Sequence, residues 1–109
     1  MTTIKIKQDD TQPALKVILK DSAGNPVNLT GASVQVAIQH YSQPAIKFNR
    51  DAYIADAVAG EVWLIWQPGE TQVTGLYRIE FRVTYQDGNR ETFPGGGYLL
   101  VNILERIGV

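Results

Sequence analysis

Between Gly75 and Gly88 the chain reads GLYRIEFRVTYQDG, and no other stretch constrains its fold as tightly. Tyr77, Ile79, Phe81, Val83 and Tyr85 alternate with Leu76, Arg78, Glu80, Arg82 and Thr84. A period of two sustained this long places the first set on one face of a strand. That face demands a core to cover it. The opposite face carries Arg78, Glu80 and Arg82, whose charges must meet water or another protein.

A chain of 109 residues has the size of one domain, and at this length folding buries roughly 60 to 70% of the surface of the unfolded chain. One domain over 1–109 is therefore expected. With 44% hydrophobic and 19% charged residues the composition is that of an ordered globule. The 10 basic and 11 acidic residues are interspersed and leave a net charge of -1. No broad field exists to attract a phosphate backbone or an anionic membrane, so no nucleic-acid partner is expected. The absence of cysteine removes disulfides, thiolate zinc sites and cysteine nucleophiles, and fits folding in a reducing compartment. The first residues, MTTIKIK, alternate isoleucine with lysine in place of an apolar signal core. No run approaches the ~18 apolar residues of a membrane span. A soluble, unprocessed chain without membrane insertion is the expectation.

In chain order, Ile4 and Ile6 against Lys5 and Lys7 predict an edge strand guarded by lysines. Asp9, Asp10 and Thr11 before Pro13 predict a turn. A second strand is expected over about Ala14 to Asp21, with Leu15, Val17 and Leu19 inward and Lys16 and Lys20 outward. Ser22 to Pro26 forms the clearest turn, because Gly24 and Asn25 tolerate positive φ and Pro26 stops the ladder. A third strand, Ala32 to His40, turns Val34, Val36 and Ile38 inward. Short strands are predicted at Ala45 to Phe48 and Ala52 to Ala57. Glu61 to Gln67 is apolar on both faces, with Val62, Leu64 and Trp66 on one and Trp63 and Ile65 on the other. Such a strand is either covered on both sides or offers Trp63 and Ile65 to a partner. Asp87-Gly88 between extended runs predicts a hairpin into Arg90 to Phe93. Gly95-Gly96-Gly97 then supplies backbone freedom before a last strand from Tyr98 to Leu104.

About seven or eight short strands with regularly spaced turns predict an all-β fold, an antiparallel β-sandwich of immunoglobulin-like type. Gly75-Leu76-Tyr77 places a tyrosine at the start of the long strand, as in a tyrosine corner. Without the immunoglobulin cysteines the core depends on Trp66, Tyr77, Phe81 and aliphatic residues.

Candidate chemistry is sparse. His40 is the only histidine, and with Ser42 it sketches a nucleophile and base. Residues two apart on a strand hold their side chains roughly 7 Å apart, and no Gly-x-Ser-x-Gly elbow occurs. No catalytic residue is assigned. Asp9 and Asp10, with Asp21 or Asp56, lack the ligand spacing of a calcium loop, so no metal site is assigned. The glycine run lacks the lysine and helix of a phosphate loop, and no cofactor is expected. Asn28-Leu29-Thr30 matches the glycosylation acceptor pattern, read as coincidence in a chain with no signal peptide.

Three strings taken together resemble a known family: DDTQPALKVILKDSAGNPVNLTGASVQVAI from Asp10, GEVWLIWQPGET from Gly60, and GLYRIEFRVTYQDGNRETFPGGGYLLVNI from Gly75. They look like the N-terminal domain of phage baseplate upper proteins, a β-sandwich of phage and prophage tails. The likeness runs in order from about Ile6 to Ile103. It rests on the Gly24-Asn25-Pro26 turn, the Gly-x-Val strand ending in Trp66, the Gly75-Leu76-Tyr77 corner and Asp87-Gly88 leading to Thr92-Phe93-Pro94. The resemblance implies a non-enzymatic structural subunit of a tail or baseplate, made in the bacterial cytoplasm and resident in the virion. Its implied partners are other tail proteins and copies of itself. Family members normally continue into receptor-binding or connecting regions, so a chain ending at Val109 is expected to be an accessory subunit. Candidate assembly contacts are Trp63, Ile65, Arg78, Glu80 and Arg82. The alternative is an immunoglobulin-like adhesion or carbohydrate-binding module contacting a host glycan, which exposed aromatics between Tyr41 and Tyr53 would favour.

Overall fold

The computed structural model describes residues 3–108; Met1 and Thr2 of the predicted first-strand segment and Val109 of the tail lie outside them. The described residues form nine strands and no helix. These are β1 (Thr3–Lys7), β2 (Leu15–Ile18), β3 (Ser33–His40), β4 (Lys47–Asp51), β5 (Tyr53–Asp56), β6 (Glu61–Leu64), β7 (Gly75–Thr84), β8 (Arg90–Phe93) and β9 (Leu99–Leu104). The larger sheet has the order β1-β9-β7-β3-β4, with β8 also on β7, and the smaller the order β2-β6-β5. Read as immunoglobulin strands, β9-β7-β3-β4 takes the G-F-C-C′ order and β2-β6-β5 the B-E-D order. The fold is an all-β sandwich.

The long alternating strand is the centre of the larger sheet. β7 pairs with β3 along its length, Val34 opposite Val83, Val36 opposite Phe81 and Ile38 opposite Ile79. All six of these side chains are buried. From the smaller sheet Leu15, Val62 and Leu64 complete the core, with Trp66 just beyond β6. Phe93 adds an aromatic that the alternation does not single out.

On its other flank β7 is served by two strands in series. Leu99 to Ile103 pairs with the first half, Gly75 to Ile79, and β8 pairs with Phe81 to Thr84. The Pro94 to Tyr98 segment therefore breaks what would be one long strand. Two further departures from expectation concern topology. There are nine strands where about seven or eight were predicted, and β4 and β5, expected as separate short strands, fall in different sheets. The sandwich is also not wholly antiparallel: β1 runs parallel to β9, Ile4 beside Val101 and Ile6 beside Ile103. Alternation fixes which face of β1 is inward but says nothing of its partner's direction.

The predicted turns form where turn chemistry places them. Gly24 has φ of 85°, and Asp21 Oδ1 accepts the N–H groups of Ala23 and Asn25 at 3.0 and 2.9 Å. One expectation fails locally. The pairing resumes at Pro26, which bridges Lys20 before the Val27 N–H donates to the Leu19 carbonyl. The bonds on either side run from the Asp21 N–H to the Asn25 carbonyl and from the Val27 N–H to the Leu19 carbonyl, so Pro26 occupies a bridge position that needs no donor of its own. Gly60, at φ 69°, is irreplaceable for a second reason, since an added Cβ would lie 2.7 Å from the Val27 carbonyl oxygen and 2.9 Å from that of Leu19.

At the far hairpin Gly88 has φ of 90° and Asp87 Oδ1 accepts the Asn89 N–H at 3.0 Å. Beside it the Tyr85 hydroxyl donates to Glu91 Oε1 at 2.7 Å. Burial, then the hydrogen bond and the negative charge of Glu91, push the Tyr85 phenol from 10.0 up to about 12. A phenol harder to ionise in the folded chain stabilises it below the ordinary tyrosine value, and that contribution is lost as pH rises between about 10 and 12. A tyrosinate absorbance titration should thus lose its latest-ionising tyrosine in Tyr85→Phe, and the variant's stability should fall less steeply over that alkaline window.

Candidate interaction surface

The tyrosine corner is present in full. The Tyr77 hydroxyl donates to the Val73 carbonyl at 2.6 Å, fastening the start of β7 to the loop before it, and burial raises the phenol's pKa. Tyr77→Phe removes a buried donor and leaves an acceptor unpaired, so a loss of about 1 to 2 kcal/mol is expected in urea unfolding. His40 is packed edge-on against the Tyr77 ring, centroids 4.8 Å apart. Its Nε2 lies 3.0 Å from the Thr74 carbonyl, which can only accept, so Nε2 carries the proton. Nδ1 then accepts from the Ser42 and Gln43 N–H groups at 3.2 and 3.1 Å.

Ser42 Oγ stands 3.5 Å from Nδ1, nearer than strand geometry predicts, because β3 ends at His40 and the chain turns back. The single lone pair of Nδ1 is already shared by two backbone donors, so it is not available to take the Ser42 proton. The histidine ties the turn after β3 to the loop before β7. The acidic residues are similarly employed in turns: Asp56 Oδ1 accepts the Ala59 N–H at 3.1 Å. Asn28 Oδ1 accepts both the N–H and hydroxyl of Thr30, at 3.0 and 2.6 Å. No helix among the described residues is long and apolar enough to cross a membrane.

The candidate contact residues separate onto opposite faces of the sandwich. Trp63 faces outward from the smaller sheet, and the exposed Ile65 follows just past the end of β6. In the sheet's middle rung Lys16, Trp63 and Tyr53 stand side by side. The Lys16 ammonium lies 4.5 Å from the Trp63 ring centroid, the Tyr53 ring is 5.5 Å away, and the indole N–H donates to Glu61 Oε2 at 2.7 Å. Trp63 is thereby half-buried, its polar edge satisfied and its rim open. Around it Ile18, Tyr53 and Ile65 are 46, 54 and 40% exposed. Sequence reasoning passed over Ile18 and weighed Tyr53 only as an exposed aromatic for the glycan reading. The alternation of Leu15, Val17 and Leu19 already turns Ile18 outward, whereas the meeting of Tyr53 with Trp63 depends on a cross-strand register.

Ile65 is held from behind by a clasp that was not foreseen. Arg50, inward on the edge strand β4, forks onto Glu70 with Nε to Oε2 and Nη2 to Oε1 both at 2.9 Å. Glu70 Oε1 also accepts the Gln67 N–H at 2.6 Å, and Arg50 Nη2 donates to the Ile65 carbonyl. A bidentate arginine therefore closes the sandwich along this side and fixes the backbone that presents Ile65.

Arg78, Glu80 and Arg82 face outward from the larger sheet. Arg82 and Glu80 approach only to 3.8 Å. The Arg78 guanidinium lies between Tyr41 and Tyr98, 5.4 and 5.0 Å from their ring centroids, and Nη2 donates to Gln39 Oε1 at 2.7 Å. Its Nε is shielded and has no hydrogen-bond partner among the described residues. The two tyrosines come from the segments after β3 and before β9, which only the folded topology brings together.

These features define a class, an immunoglobulin-like β-sandwich whose two outer faces carry different chemistry, one aromatic and aliphatic, the other polar and charged. No family model and no curated protein matches the chain.

Proposed function

We propose that the chain is a non-enzymatic structural subunit of a phage or prophage tail or baseplate, resident in the virion and acting through contacts with other tail proteins and with its own copies. The observation that carries this reading is the stripe of Ile18, Tyr53 and Trp63 on the smaller sheet with Ile65 just past the end of β6, apolar and aromatic surface of the kind that forms the centre of an interface. The resemblance of three long strings to baseplate upper proteins gives the stripe its context. In a cyclic assembly one such patch is used repeatedly. Trp63 is the anchor, and the clasp behind Ile65 limits the ordering cost of docking.

The test is light scattering of the purified chain beside its Ile65→Lys and Trp63→Ala variants. The wild type should be an oligomer, and Ile65→Lys should dissociate it by about tenfold or more in Kd with an unchanged melting temperature. A monomeric wild type contradicts self-assembly, and unchanged association and stability in Trp63→Ala removes that residue as the anchor. A second reading, an adhesion or carbohydrate-binding module for a host surface glycan, is favoured by Tyr41 and Tyr53, which are 55 and 54% exposed.

A further inference from the structure

The larger sheet's outer face is grooved across its strands. Its middle rung is Asn49, Ala37 and Glu80, flanked by a rung of Lys47, Gln39 and Arg78 on one side and by Asp51, Gln35 and Arg82 on the other. Ala37 is a methyl group among long side chains, and it leaves the middle rung as a floor. The resulting groove has a volume of about 600 Å³, within the roughly 300–1,000 Å³ of small-ligand sites. Beyond Glu80 the floor does not end. β8 stops at Phe93 and β9 begins at Leu99, and in the gap Gly95, Gly97 and Tyr98 line a depression of about 350 Å³ that shares Glu80 and Arg82 with the groove.

The chemistry of the walls selects the occupant. Among the lining residues Lys47, Arg78 and Arg82 set three cations against the one carboxylate of Glu80, and with the Asp51 carboxylate at the end of the flanking rung, outside the lining, an excess of one cation remains. The groove therefore favours an anion. The backbones of β3 and β7 are engaged in the sheet beneath it, so a peptide could not add there as a strand. Recognition must come from planar side chains, Asn49 and the two guanidinium groups, whose donors and acceptor fit carboxylates and vicinal hydroxyls, while the Gln39 amide is engaged by Arg78 at Oε1 and by the Pro44 carbonyl at Nε2. Arg78 is already oriented by Gln39 and two tyrosine rings, and Tyr98 adds a partly exposed ring at the groove's end.

We propose that this groove binds a carboxylated saccharide, an oligosaccharide of the uronic or sialic acid type. The proposal rests on the second reading above, and it names the site and ligand class for it. The experiment is an amide NMR titration of the full chain with trigalacturonate and sialyllactose, beside maltotriose and tetra-aspartate. At least one of the acidic saccharides should shift the amides of Ala37, Gln39 and Asn49. Arg78→Lys, which keeps the charge and loses the fork, should weaken that binding about tenfold or more. Ala37→Gln, which raises the floor on an outward position, should abolish it while the remaining spectrum stays native. Saccharide shifts confined to Tyr53 and Trp63 would overturn the groove and leave the glycan reading standing. Stronger binding of tetra-aspartate than of either acidic saccharide would assign the groove to an acidic protein segment and overturn the proposal. No response to any saccharide would overturn both the groove and the glycan reading.

Discussion

Gly75→Ala should destabilise the domain by about 3 kcal/mol, because positive φ costs an L-residue roughly 1–2 kcal/mol and each displaced hydrogen bond about 1 kcal/mol more. Gly75 opens β7 at φ 131°, and a Cβ there would run into His40 Nε2, well inside the 3.0 Å that real Cβ contacts keep. The imidazole has nowhere to retreat. Thr74 holds one nitrogen, the Ser42 and Gln43 N–H groups hold the other, and Tyr77 packs against the ring. Gly24→Ala is the control, since nothing lies within 4 Å of a Cβ at that position. Urea unfolding of the two variants separates strain from collision. Equal losses would mean that the His40 knot gives way easily.

Phe81→Ala should cost about 3–5 kcal/mol, out of a total stability of about 5–15 kcal/mol for a domain of this size. Phe81 is fully buried, opposite Val36 on one neighbouring strand and Phe93 on the other. Backbone ladders on both sides hold the surrounding strands apart, so the cavity cannot collapse. A loss below about 1.5 kcal/mol would show instead that the sheet relaxes around the vacancy.

The residues that carry these two effects were legible in the sequence, for different reasons. Parity along β7 reports burial directly, since only one face of the strand meets the core. The Gly75-Leu76-Tyr77 corner and the Gly24 and Gly88 turns were legible because φ and side-chain capping are local properties. What escaped notice is non-local. The parallel seat of β1 on β9 joins the two ends of the chain, and the division of β7's flank between β8 and β9 depends on where a loop leaves the sheet. Arg50 and Glu70 meet across the side of the sandwich, at a distance that no alternation encodes. For the same reason the five candidate contact residues looked equivalent in sequence, whereas Trp63 lies in the smaller sheet with Ile65 just past its end, and Arg78, Glu80 and Arg82 lie in the larger. Parity says inward or outward, and the pairing decides which outward face.

That division gives the sandwich two independent surfaces, an apolar one suited to assembly and a polar groove suited to a soluble or surface-bound ligand. A tail subunit can use both, docking through Trp63 and Ile65 while the opposite face remains accessible. The most direct test of the tail assignment is mass spectrometry of particles induced from the bacterium that encodes the chain, purified by density and separated into heads and tails. The chain should be recovered in the tail fraction at a fixed ratio to the other tail proteins, and its recovery only among soluble host proteins would contradict the assignment.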